Sequence, residues 1–141
     1  MEKIFEDEFM DIQSQIISLC LELVGNEASK VYAYGSIEEN SISFNAFFDI
    51  GGQIKTTNNI VSNTDVIWDF LDLGESDLEK IKELCENYKR VPPTELKMIY
   101  DCISCKFDAQ YQYEPICSAK TGINSSDVFI NWLEEVRQGN E

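Results

Sequence analysis

KVYAYGSIEENSISFNAFFDIGGQIKT, Lys30 to Thr56, decides the fold. Its apolar residues recur at every second position, the period of a strand whose successive side chains point to opposite faces. Val31, Ala33, Gly35 and Ile37 alternate with Tyr32, Tyr34 and Ser36. After the polar turn Glu38-Glu39-Asn40, Ile42, Phe44, Ala46, Phe48 and Ile50 share one face, with Ser43, Asn45, Phe47 and Asp49 on the other. Gly51-Gly52 is a strong hairpin signal, because the two-residue turns that suit twisted strands need positive φ. Gln53 to Thr57 then returns as a third strand. The stretch predicts an antiparallel meander with one buried face. The aromatic residues of its other face, Tyr32, Tyr34 and Phe47, would either bind a partner or lie beneath a helix.

Upstream, Ile4, Phe5, Phe9, Ile12, Ile16, Leu19, Cys20 and Leu23 recur at helical spacing, and Gly25-Asn26 gives a stop. Downstream, Asn58 to Gly74 is ambiguous, with a short helix around Val66, Ile67, Phe70 and Leu71 as one solution. Ser76 with Glu79 three residues on reads as a capping box. The helix it opens runs to about Arg90, with Leu78, Ile81, Leu84, Cys85 and Tyr88 inward, and Pro92-Pro93 ends it. Leu96 to Ile103 predicts a fourth strand, Ser104-Cys105 a turn, and Lys106 to Tyr113 a fifth strand. Pro115 to Ser125 is a loop. Ser125 or Ser126 caps a last helix carrying Val128, Phe129, Trp132, Leu133 and Val136. The order is α-βββ-α-ββ-α: one α+β domain over residues 1–141, an antiparallel sheet of about five strands with helices packed against it.

Charge narrows the function. The chain has 26 acidic and 11 basic residues, no histidine, and a formal net charge of −15. Such a field repels nucleic acid and anionic membrane and attracts cationic partners. Without histidine, a Ser-His or Cys-His nucleophile pair cannot be built. Gly51-Gly52 lacks the helix and lysine of a phosphate loop, and no EF-hand pattern is present. The five cysteines are an odd number, the N-terminus is acidic, and no apolar run reaches the ~18 residues of a membrane span. A cytoplasmic protein with free, mostly buried thiols is expected. Cys102 and Cys105 form a CxxC, but no second close pair accompanies them for zinc, and a predicted hairpin replaces the helix start of redox motifs. Packing in the strand and turn is their expected role. Many carboxylates are present, yet no motif singles out a catalytic pair. The expectation is a non-enzymatic protein without cofactor or metal; a carboxylate-dependent enzyme or metal binder is the least favoured alternative.

The richest stretch for recognition is Asp65 to Glu79. Asp65, Asp69, Asp72, Glu75, Asp77 and Glu79 surround Trp68 and Phe70, and no basic residue follows until Lys80. An aromatic anchor ringed by like charge suits a cationic partner, with apolar area to desolvate at the centre and steering charge at the rim. Trp68, Asp69, Phe70, Asp72, Glu75 and Asp77 are therefore the first candidate contacts, with Glu38, Glu39 and Asp49 second. The competing reading places Trp68 and Leu71 in the core and the acids on a solvated face.

Several of these segments together resemble the YezG-like immunity proteins, bacterial proteins that neutralise polymorphic toxins. The resemblance is carried by the amphipathic first helix leading into Lys30 to Thr56, by ENYKR (Glu86 to Arg90), by KFDAQYQYE (Lys106 to Glu114) and by Trp132 in the last helix. The chain departs from the family at Ser104-Cys105, where a turn glycine is usual, and over Ile116 to Ser125. The resemblance implies an antitoxin that binds a cognate secreted or contact-delivered toxin, often a nuclease, and nucleases that act on an anionic polymer carry basic clefts. The acidic field argues against contact with nucleic acid or membrane, and a monomer or weak homodimer is expected. An acidic adaptor or structural subunit for a basic protein is the alternative.

Overall fold

The alternation of Lys30 to Thr56 sends successive side chains to opposite faces of a sheet, and helices cover both. The structure is a computed structural model and describes residues 4–25, 27–38, 41–113 and 125–139. Its elements are α1 (Phe5–Val24), β1 (Lys30–Glu38), β2 (Ser41–Ile50), β3 (Gln53–Thr56), α2 (Thr57–Ile60), α3 (Thr64–Asn87), β4 (Glu95–Asp101), β5 (Lys106–Gln112) and α4 (Ser125–Gly139). The strands form one antiparallel sheet in the order β3-β2-β1-β4-β5. The α+β architecture is as the sequence predicts. The loop expected from Pro115 lies outside the described residues up to Ser125, as do Glu39 and Asn40.

One face of the sheet carries Val31, Ala33, Ile37, Phe44, Ala46, Phe48, Leu96 and Met98, and α1 and α3 pack on it through Ile16, Ile17, Cys20, Phe70, Leu78, Ile81 and Cys85. The sequence predicts one buried face, and this is corrected: the other face is buried as well. Tyr32, Tyr34, Phe47 and Ile54 form a second core with Phe129, Trp132 and Leu133 of α4. Cross-strand partners Tyr32 and Phe47 stack with centroids 4.6 Å apart, and Trp132 meets Phe47 edge-on at 5.0 Å. Each such buried side chain contributes about 1.5–3 kcal/mol of apolar transfer energy. The aromatic residues of that face thus lie beneath a helix.

A second correction concerns the helix predicted to start at Ser76. α3 begins twelve residues earlier, capped by Asn63, whose Oδ1 accepts the Asp65 N–H at 3.0 Å. It runs unbroken through Gly74, and Ser76 and Glu79 are exposed positions within it. The glycine is a close approach, not a stop: a Cβ there would run into the Phe44 ring of β2. Gly35 of β1 makes matching room, since a Cβ on it would sit 2.6 Å from Leu78 Cδ2. The ambiguous stretch before Gly74 resolves into the single turn of α2 and the first part of α3.

Candidate protein-binding surface

α1 and α3 lie side by side on the sheet, tied at one end by contacts between the start of α1 and the end of α3. The Tyr88 hydroxyl donates to Glu8 at 3.0 Å, and the Arg90 guanidinium sits 4.2 Å over the Phe5 ring and 3.4 Å from Glu6. Gln13, fully buried on α1, accepts from the Tyr111 hydroxyl of β5 at 2.8 Å. These contacts fix the outward faces of the two helices.

The 3.6-residue period sorts α3 into three rows. Phe70, Gly74, Asp77, Leu78, Ile81 and Cys85 face the sheet and α1. Val66, Asp69 and Leu73 flank that row and meet Leu19, Glu22 and Leu23 of α1 around a groove of about 220 Å³. Phe70 closes its floor. Trp68, Asp72, Glu75 and Glu79 point away from the sheet. Trp68 is 61% exposed and Leu73 55%. A second hollow between the same helices, about 390 Å³, is lined by Glu8, Asp11, Lys80, Glu83 and Asn87 together with the apolar Ile12 and Leu84.

The surface is acidic at close range. α1 has no basic residue, and α3 offers only Lys80 and Lys82 against its eight acids, Asp65, Asp69, Asp72, Glu75, Asp77, Glu79, Glu83 and Glu86. Partial burial, reinforced by the neighbouring charge of Asp72, holds the Glu75 carboxyl above its usual range. Crowded carboxylates around exposed indole and aliphatic groups favour whatever brings positive charge and apolar area together.

Three of the predicted contacts, Trp68, Asp72 and Glu75, share the outward row of α3, and Asp69 lines the adjoining groove. Two others do not belong to it. Phe70 is 3% exposed and packs edge-on against Phe44 at 5.3 Å, so it supports the groove from within the core. Asp77 is 8% exposed and engages Lys80 at 3.3 Å. Both face inward because the helix starts before Trp68 and passes through Gly74, which fixes their angle about its axis. Glu38 ends β1 and Asp49 nears the end of antiparallel β2, so they mark opposite ends of the sheet. Asp49 Oδ1 accepts the Gly52 N–H of the hairpin turn at 3.0 Å, a local structural duty. Glu39 lies outside the described residues.

Leu19, Glu22, Leu23, Val66 and Leu73 were not predicted as contacts. The signal for Val66 and Leu73 was their spacing from Asp69, i−3 and i+4, which only counts once the helix is known to be continuous. Among the described residues no cluster of three or more Cys, Asp or Glu side chains could hold a metal ion, and no helix is long and apolar enough to cross a membrane. No protein-family model matches the chain. Comparison with curated proteins likewise finds no match.

Proposed function

We propose that this chain is an immunity protein that binds a cationic protein, a toxin domain of the nuclease type, through the outer side of α3 and its groove with α1. The observation that carries the binding is the exposed Trp68 beside Asp72 and Glu75, with the exposed Leu73 and Asp69 at the adjoining groove. An apolar anchor of that kind gains energy when covered, and its acidic rim selects a basic cover. The immunity role comes from the resemblance in sequence, and the net charge of −15 supports it because nucleases that grip an anionic polymer carry basic clefts. Inhibition would follow from non-covalent binding alone.

The test is protection. Cells making the cognate toxin should survive when this chain is co-expressed, and purified chain should silence the nuclease at stoichiometric amounts. A variant with Trp68→Ala and Asp72→Lys should bind at least roughly thirtyfold more weakly. Full protection by that variant would remove the surface assignment, and absence of any protection would remove the immunity role. The same exposed apolar residues would also suit a constitutive basic partner, the adaptor reading. That reading predicts a complex already present in unchallenged cells and no effect on toxin survival.

A further inference from the structure

The turn joining β4 and β5 sets two thiols at its two ends. Asp101 and Lys106 are paired residues of the two strands, so Cys102 to Cys105 reverse the chain in a single tight turn. Asp101 Oδ1 accepts the N–H groups of Ile103 at 2.9 Å and Ser104 at 3.1 Å, and the Cys102 N–H donates to the Ser29 carbonyl at 2.9 Å. The turn is thereby held from both sides. Cys105 has φ of 60°, the left-handed conformation that glycine or asparagine adopts at least cost. Here a cysteine occupies it. The first and last Cα atoms of a four-residue turn lie less than ~7 Å apart, close to the span that a disulfide bridges.

The two thiols also differ in access. Cys105 is exposed and Cys102 half-buried, while Cys20 and Cys85 are buried. Burial, before the charge of Asp101, pushes the Cys102 thiol up, and burial alone pushes Cys20 far up. A raised thiol is the slower attacker at neutral pH.

We propose that Cys102 and Cys105 are a redox-active dithiol that closes to a disulfide across the β4–β5 turn on meeting a low-molecular-weight disulfide such as oxidised glutathione. The exposed Cys105 sulfur attacks one sulfur of glutathione disulfide, forming a mixed disulfide and releasing one glutathione thiol. Cys102 then attacks the Cys105 sulfur, and the second glutathione leaves as a thiol. In sum, two protein thiols and one glutathione disulfide become one protein disulfide and two glutathione thiols, so protons and electrons balance.

The test equilibrates the full reduced chain with oxidised and reduced glutathione, alkylates the remaining thiols, and reads the digested peptides by mass spectrometry. The expected result is a peptide carrying Cys102 and Cys105 that is lighter by two hydrogens and unalkylated, with Cys20 and Cys85 alkylated once the chain is unfolded. Cys102→Ser should trap the glutathione adduct on Cys105, and Cys105→Ser should abolish modification of the turn. Cys117→Ser should leave closure intact. Alkylation of both turn thiols after oxidation, a stable adduct on Cys105 in the unaltered chain, or loss of closure in the Cys117→Ser variant would each overturn the proposal.

Discussion

Trp68 is the residue on which the binding reading turns. An indole left 61% exposed contributes little to folding, so its truncation should cost the fold little. Trp68→Ala is expected to move urea-unfolding stability by no more than about 0.5 kcal/mol. The same change should weaken partner binding by about 2 kcal/mol or more, which is roughly thirtyfold in Kd. Acrylamide quenching separates the two tryptophans: the Trp68→Phe variant should retain only the protected emission of Trp132, which is 6% exposed. Gly74 carries the opposite signature. Gly74→Ala would push a methyl into the Phe44 ring and should destabilise the fold by about 1–3 kcal/mol, despite alanine's better helix propensity. Glu75 supplies a pH dependence. Its folded value lies above its ordinary one, so the folded state holds that proton longer than the unfolded state does. Its contribution to stability therefore falls as pH rises from the ordinary value through the raised one. A cationic partner should reverse the shift, so binding should tighten across that window with release of a proton. A carboxyl-carbon NMR titration should find Glu75 titrating high in the free chain, and lower but not normal in Asp72→Asn, because burial is the larger cause.

At the scale of elements, strand periodicity located β1, β2 and β5 to within a residue or so, because a two-residue alternation is a local property of the chain. The helices were harder for a physical reason. Gly74-Glu75-Ser76 carries every local mark of a helix end followed by a cap, and what overrides it is the Phe44 ring of β2, distant in sequence. α3 is therefore divided in the sequence reading, and the row that brings Val66, Asp69 and Leu73 to the groove with α1 is hidden by that division. Trp68 and its acids were legible because aromatic and charged residues interleave there in sequence; the inward angle of Phe70 and Asp77 was not. For α4, the pattern of Phe129, Trp132 and Leu133 announced a helix and left open which surface it would cover. It covers Tyr32 and Phe47, and this makes it part of the core. Trp132→Ala should cost about 3–5 kcal/mol in urea denaturation. A change under 1 kcal/mol would mean that α4 does not hold that face.

Across the whole molecule, charge is the dominant feature, and it was legible from composition alone. A net −15 speeds the approach of a basic partner, and the acids beside the groove between α1 and α3 concentrate that effect at the apolar anchor. Reversing Asp69 and Asp72 to lysine should lower the association rate more than it raises the dissociation rate, and should flatten the salt dependence of the former. Reversing Glu38 and Asp49, toward the two ends of the sheet, should change both rates by less than about threefold, the level expected of charges outside the contact. The most direct measurement of the central claim uses two baits from the same preparation, the unaltered chain and its Trp68→Ala, Asp69→Lys, Asp72→Lys variant. Each is exposed to a candidate basic nuclease toxin domain, and retention and nuclease activity are followed against salt. The account predicts that the unaltered chain retains the basic domain, releases it as salt rises and silences its activity, while the variant does neither. Equal retention and equal silencing by both baits would contradict it.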